Sequence, residues 1–363
     1  MADVPSEKTE IHGLVQRYVG NSGVGLCAAY AIARGRLLLV EPILFSVQTV
    51  GTAKDWVPEI LKQYEKLSHS ARRDYLSLMS NVAGLSAEFK DVIRDTLHES
   101  CGEEPTYQTL MFNFEVVGIF LTNARPLDTE MKLRSGIFLR ASSTFASAIC
   151  FYSTAPLPPG APDQTSHIFV IFDHSNPRFL VGFNHSCSPN AFAKYCSRTR
   201  KAYVHAITNI EQGEEARISY YSDYIFPHDV RAKVLQFDCD CWACQIQNRE
   251  SSDARRRRIE FLSTKAHEYV TRVSQLVPDT PPIENAYALD DAEEFIRLLF
   301  HERLFLLLEV GYERLASCYI HIGQKQAAER SIRLAEKHNL ICYGRFSRKK
   351  HQLWELLSRM PKT

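Results

Sequence analysis

The stretch Asn184-His185-Ser186-Cys187-Ser188-Pro189-Asn190 decides the reading of this 363-residue chain. Asparagine and serine side chains hydrogen-bond nearby backbone, and proline closes the run, so these residues specify a tight, irregular loop. Such a loop fixes backbone carbonyls and amides in space. It serves either as a grip for an adenine or amino-acid moiety or as a structural turn, and the residues alone leave both readings open. Working outward, Cys239-Asp240-Cys241-Trp242-Ala243-Cys244 puts three thiols within six residues. Tetrahedral zinc takes soft ligands, and cysteines on one turn supply them at low ordering cost. A fourth ligand has to come from elsewhere, and Cys187 is the natural candidate; the plain alternative is a set of free thiols. Between the two stretches lie Gly213-Glu214-Glu215 and Ile218-Ser219-Tyr220, followed by Tyr221 and Tyr224. Taken in isolation, a strand ending in tyrosines is core packing.

Charge and composition narrow the function classes. Basic residues number 43 and acidic residues 42, a net charge of +1. A general nucleic-acid binder carries a large positive excess, so direct nucleic-acid binding is not expected. The longest apolar runs, near Leu37–Val40, Ile168–Phe172 and Leu304–Leu308, fall far short of the roughly 20 residues that span a bilayer, so no membrane partner is expected. Met1 to Glu7 has no basic start leading into an apolar run, and no signal peptide is read there. These features predict a cytoplasmic and/or nuclear chain. Its ten cysteines are then thiols or metal ligands rather than a disulfide frame.

Glycine turns and short apolar runs from Val15 to Phe45 predict three strands separated by turns at Gly20–Gly25 and Gly35. Helical spacing follows from Trp56 to about Leu97, with Gly84 expected to end the second helix, and a further helix covers about Thr106 to Asn123. Ala202–Ile207 and Glu215–Tyr220 read as strands. Arg255–Arg258 opens a polar helix running to about Val277; the four arginines are a solvated face or a nuclear-import patch. Residues 290–360 read as helical throughout. Tyr312, Leu315, Ala316, Tyr319, Gly323, Ala327 and Ala335 fit either one tetratricopeptide-type pair or a plain antiparallel pair.

Taken in order, these pieces resemble the SET domain of protein lysine methyltransferases. Gly23-Val24-Gly25-Leu26 with Arg34-Gly35 resembles its first glycine turn. Asn184 to Asn190 looks like its asparagine-histidine motif, Gly213 to Tyr220 like its closing strand and catalytic tyrosine, and Phe237 to Cys244 like its post-SET zinc knot. The likeness covers about residues 10–250, and the trailing helices extend it toward the SMYD-type subgroup. It implies an α+β fold: a β-rich SET core (a β-clip) with inserted helices, a zinc knot and an α-helical C-terminal region. The divisions expected are 10–55 for the N-terminal part of the SET domain, 56–125 for a helical insert and 126–225 for the core. Residues 226–250 would form the zinc motif, and 255–363 a helical, tetratricopeptide-like region open to a protein partner.

The resemblance further implies S-adenosylmethionine as cofactor, contacted by Ser22, Gly23, Val24, Asn123, Asn184, His185 and Phe237. Tyr220 would be catalytic, and Cys187, Cys239, Cys241 and Cys244 would hold structural zinc. The substrate would be a lysine of a protein or peptide, histone or otherwise. Three departures stand out. Only about ten residues separate Phe45 from Trp56, with no cysteine, so the MYND zinc finger of the subgroup is missing. Residues 143–182, holding five of the sixteen prolines, interrupt the core just before Asn184. This segment reads as an ordered lid, a loop without regular structure, or a retained non-coding stretch. Leu235 stands where the subgroup has a second tyrosine, a place that Tyr224 could fill. The interruption keeps open an alternative function, a catalytically impaired SET scaffold or binding protein.

Overall fold

The computed structural model describes residues 10–20, 23–49, 51–78, 80–127, 134–137, 182–196, 198–220, 225–235, 237–275 and 282–344, with 354, 357 and 358. Five short strands come first: β1 (Glu10–Ile11), β2 (Leu14–Tyr18), β3 (Val24–Ala28), β4 (Leu37–Pro42) and β5 (Phe45–Gln48). β2 and β3 form an antiparallel hairpin with Tyr18 opposite Val24. Its turn closes through Gly23 N–H to the Gly20 carbonyl (2.9 Å). Gly23 has φ +74°, a conformation that side-chain-bearing residues rarely adopt, which is why glycine stands there.

Four helices follow: α1 (Ala53–Glu65), α2 (His69–Leu76), α3 (Ala87–Cys101) and α4 (Tyr107–Asn123). Ser68, Ser86 and Thr106 cap the last three by accepting from the backbone N–H groups of Ala71, Phe89 and Thr109. Trp56, Ile60 and Tyr64 recur every four residues on α1, and with Tyr75, Ile93, Val117 and Phe120, and Phe45 and Val47 of β5, they build a core separate from that of β3 and β4. Gly84 does not end α2, which stops at Leu76; it closes a single 3-10 turn, Val82–Gly84, capped by Asn81. That turn packs Val82 on the same core, so the apolar spacing that suggested a longer helix is satisfied by a loop.

β6 (Arg125–Leu127) and β7 (Arg134–Ile137) join β5 in a small sheet, ordered β5-β7-β6. The segment 143–182 lies outside the described residues except for Gly182, as does the strand expected at Ile168–Phe172. The chain then supplies β8 (Asn184–His185), β9 (Ala191–Cys196), β10 (Lys201–Ala206) and β11 (Arg217–Ile218). One sheet is ordered β1-β4-β10-β9, all antiparallel, with Val40 opposite Tyr203. Leu26, Leu38, Leu39, Phe183, Val204, Ala216 and Ile218 bury their side chains in the shared core.

After α5 (His228–Leu235) come the long helix α6 (Ile246–Gln275), then α7 (Pro282–His301), α8 (Leu308–His321) and α9 (Lys325–Tyr343). α6 starts nine residues before the expected Arg255, because its polar first turns carry no apolar period to announce them. Of the helix expected throughout 290–360, α7 to α9 supply the part as far as Tyr343, broken by a 3-10 turn at Phe305–Leu307, while most of 345–360 lies outside the described residues. The α8–α9 pair docks through α9 on the β9–β10 side of the four-stranded sheet. Phe192 of β9 meets Tyr343 edge-on at 5.5 Å, and Arg34 Nη2 donates to His338 Nδ1 at 2.7 Å. Burial, with the Arg34 charge, pushes the His338 imidazole down to about 4, which leaves Nδ1 free of a proton to accept that bond. Among the described residues no helix is long and apolar enough to cross a membrane.

Candidate active site

β8 and β11 lie side by side in parallel, Arg217 opposite Asn184 and Ile218 opposite His185. What reads in sequence as an irregular loop therefore begins as a two-residue strand held by a segment more than thirty residues later, which local sequence could not reveal. Past β11, the Tyr220 N–H donates to His185 Nδ1 at 3.1 Å. With Nδ1 accepting there, Nε2 is the ring's donor nitrogen, 3.3 Å from Cys187 Sγ. The Tyr220 hydroxyl donates to the Phe183 carbonyl at 2.9 Å. The ring of His185 lies 5.1 Å from that of Tyr220 and 6.0 Å from that of Phe237. Tyr220 and Phe237 are 6.4 Å apart. Three residues expected at the site thus form one aromatic cluster.

Asn184 Nδ2 donates to Glu215 Oε1 at 2.6 Å and reaches the Val24 carbonyl at 3.3 Å. The second contact brings the Gly23-Val24 turn to the asparagine. Gly25 makes the approach possible: a Cβ there would collide with the Glu215 carboxylate and stand 3.1 Å from Asn184 Nδ2. Asn123 is fully buried at the end of α4, its Nδ2 donating 2.8 Å to the Ile119 carbonyl, beside Phe120 and Ala124 of the helical insert's core. Ser22, Tyr221 and Tyr224 lie outside the described residues. Leu235 is buried with the cysteines.

The sulfurs of Cys187, Cys239, Cys241 and Cys244 all lie within 4.8 Å of one another. Cys187 Sγ is 3.9 Å from Cys239 Sγ and 3.6 Å from Cys244 Sγ. Four sulfurs at a zinc–sulfur length of about 2.3 Å stand about 3.8 Å apart in a tetrahedron, so the donor set fits that ion in both chemistry and spacing. Burial pushes the Cys187 thiol up, while hydrogen bonds with Cys187 push Cys239 up and Cys241 and Cys244 down. Four crowded sulfurs cannot all be anionic without a cation among them. Arg231, buried and paired with Asp253, points Nη2 at Cys244 Sγ (3.6 Å) and adds positive charge at the knot.

Sequence reasoning missed four participants. Glu215 holds the Asn184 amide. Arg217 ion-pairs with Glu215 and also with Asp240, Nη1 at 2.5 Å, linking the strand to the knot. Burial would lower the basicity of Arg217, but its hydrogen bond to Asp240 and the charge of Glu215 outweigh that and raise it above the usual arginine value. The fourth is Arg256. The solvated-face reading of Arg255–Arg258 fails at Arg256, which is wholly buried on Glu302; Arg255 pairs with Glu302, and Arg258 with Glu294. Of the other three, Arg257 is exposed, and Arg255 and Arg258 keep 27% and 41% of their side chains in solvent. The signal for Arg256 is tertiary, a carboxylate 46 residues away.

The profile of the SET domain matches residues 23–221, more than half of the chain, and the chain belongs to the SET domain family. Histone-lysine N-methyltransferase set5 of Schizosaccharomyces pombe is 33% identical over 105 residues, 26% of this chain and 33% of that protein. N-lysine methyltransferase SMYD2-B of Danio rerio is 24% identical over 167 residues, 42% of this chain and 37% of that one. The matches thus span about a third of the length of these curated relatives. A solved SET domain, that of LSMT bound to lysine and AdoHcy, aligns over 94% of this chain and 88% of its own, at 11% identity and a TM-score of 0.33, a distant likeness.

Proposed function

We propose that this chain is a protein-lysine N-methyltransferase that uses S-adenosylmethionine, with the Asn184–His185 strand and the Gly23–Val24 turn holding the cofactor and Tyr220 acting at the transferred methyl. The observation that carries the reading is the joining of these residues around one spot. Asn184 bonds the Val24 carbonyl, and the rings of His185, Tyr220 and Phe237 stand together beside it. The names of the two curated relatives, both lysine methyltransferases, support the reaction class. Ser22 and Asn123 belong to the same proposed binding set, and the domain divisions at 10–55, 56–125, 126–225, 226–250 and 255–363 to the same proposal.

When bound, the cofactor supplies a sulfonium methyl open to in-line attack. The chain's own part is to present a neutral amine, since a free lysine titrates near 10.4. Phe237 and the Tyr220 ring would offer the amine an apolar wall that disfavours the ammonium, and nucleophile and methyl held in line there would gain the advantage of fixed position. The Tyr220 hydroxyl, donating to the Phe183 carbonyl, presents its own lone pairs in a fixed direction. That arrangement suits orienting a methyl or an amine, not strong-base chemistry. The Cys187, Cys239, Cys241 and Cys244 sulfurs would hold zinc with no open position, so its role is to close the knot that carries Phe237.

Three experiments test this. Calorimetric titration of S-adenosylmethionine is expected to show binding to the wild-type chain and at least about ten-fold weaker binding to Asn184→Ala, because a buried partner left unsatisfied costs roughly 1–3 kcal/mol. Unchanged affinity in the variant refutes the assignment. Binding with no turnover on an array of lysine peptides supports instead the impaired scaffold. Elemental analysis is expected to find about one zinc per chain, with chelation or Cys241→Ser lowering thermal stability, since metal binding is folding energy in such knots. A zinc-free chain of undiminished stability rules the metal out.

A further inference from the structure

We propose that Arg217 is a positioning residue that couples the cysteine knot to the Asn184 amide, so that the knot's metal and S-adenosylmethionine bind cooperatively. The inference rests on the cofactor role proposed above for Asn184.

A continuous chain of charge joins the two places. Asn184 Nδ2 donates to one oxygen of Glu215 at 2.6 Å. The other oxygen of Glu215 accepts from Arg217 Nε. The far end of the same guanidinium grips Asp240, Nη1 to Oδ1 at 2.5 Å and Nη2 to Oδ2 at 3.5 Å. Asp240 is the residue between Cys239 and Cys241, so its backbone moves with the sulfurs on either side.

The chain is confined as well as connected. Glu215 is sterically trapped, with the β3 backbone at Gly25 against its carboxylate and no room for even a methyl group between them. Asn190 pins the strand on the other side, accepting from Arg217 N–H at 2.7 Å and donating to the Glu215 carbonyl at 2.8 Å. The Glu215 side chain is 8% exposed and that of Arg217 19%, whereas that of Asp240 is 42% exposed. The Glu215–Arg217 link therefore works in a low dielectric, where charges are felt strongly, and the Asp240 end is the more easily released. A knot that loosens withdraws Asp240 and releases the Nη end of Arg217, and the guanidinium, still bound through Nε, then draws the Glu215 carboxylate with it and shifts its hold on Asn184 Nδ2. Thermodynamic linkage makes the effect mutual: if metal improves cofactor affinity, cofactor must improve metal affinity by the same factor.

The test measures zinc release from the full chain to an excess of chelator, with and without S-adenosylmethionine, alongside cofactor affinity by calorimetry. The wild-type chain is expected to release zinc at least about five-fold more slowly with cofactor present, the lower end of ordinary coupling. Arg217→Met is expected to retain one zinc per chain, to bind cofactor at least about five-fold more weakly, and to lose the protection. Arg217→Lys can reach one carboxylate but not both and should fall between, an ordering that a purely structural role would not give. If Arg217→Met does not fold, Asp240→Asn at the wetter end decides in its place. A folded variant with wild-type affinity and undiminished protection overturns the coupling and leaves the cofactor reading intact. A wild-type chain that binds no S-adenosylmethionine overturns both.

Discussion

Arg256→Ala is expected to lower the stability of the chain by about 3 kcal/mol, measured by urea denaturation. Arg256 and Glu302 are each wholly buried, joined by an Nε–Oε2 contact of 2.9 Å. The same guanidinium donates through Nη2 to the Cys187 carbonyl at 3.1 Å and to Ser188 Oγ at 3.0 Å. Ser188 Oγ in turn donates to the Glu302 carbonyl at 2.9 Å. Removing one partner of a buried ion pair typically costs about 3–5 kcal/mol, because the other charge is left stranded out of water. The lower end applies here, since Arg255 and Ser252 still donate to Glu302, each at 2.6 Å. Replacing both, as Arg256→Met with Glu302→Leu, should cost less than the single change, because no wholly buried charge is then orphaned; Arg255 also loses Glu302, but its side chain is 27% exposed to water. A loss under about 1 kcal/mol for Arg256→Ala would show that the network is not what binds the C-terminal helices to the Asn184–Ser188 segment.

Tyr220→Phe is expected to cut methyl transfer by about 100-fold or more while changing cofactor affinity by less than about three-fold. The hydroxyl lies beside the reacting atoms in the proposed site, and misplacement of reacting groups by about 1 Å is enough for a loss of that size. The ring contacts with His185 and Phe237 survive in phenylalanine, and so does the backbone bond from Tyr220 N–H to His185. The bond to the Phe183 carbonyl is lost, so stability should fall by about 1 kcal/mol. A decrease of kcat with KM for cofactor unmoved is the signature to look for, since it marks an interaction made mainly in the transition state. Equal loss of turnover and cofactor binding would assign Tyr220 to binding instead.

These two residues mark the limits of sequence reading. Tyr220 is legible because its motif lies between Gly213-Glu214-Glu215 and the cysteines, and the order of such blocks carries information that no single block has. The metal centre is legible because zinc chemistry demands soft donors close together, and Cys239, Cys241 and Cys244 have no commoner reason to share six residues. Arg256 is not legible. In a run of four arginines nothing local distinguishes the one that turns inward, and what draws it in is Glu302, just past the end of α7. Arg217 and Asp240 fail for the same reason, since ordinary charged residues gain meaning only when tertiary packing brings them together. Element boundaries went astray where polar chain carries no period, as at the start of α6, or where an apolar residue such as Val82 reaches the core from a turn.

The pairing of β4 with β10 also sets a timetable for synthesis. When β4 leaves the ribosome, one of its edges can be met at once by β1, which precedes it, with Leu39 opposite Ile11. Its other edge waits for Tyr203 and its neighbours, about 160 residues downstream. At roughly 5–20 residues per second, that wait is about 8–30 s. Throughout it, a strand carrying Leu38, Leu39 and Val40 offers an open, apolar ladder to any other chain nearby. The helical insert, whose core is complete by Ala124, can fold in the interval but covers none of the β4 edge that β10 will occupy. The nascent chain is therefore expected to depend on chaperones during that interval, and slow translation between the two strands would lengthen it.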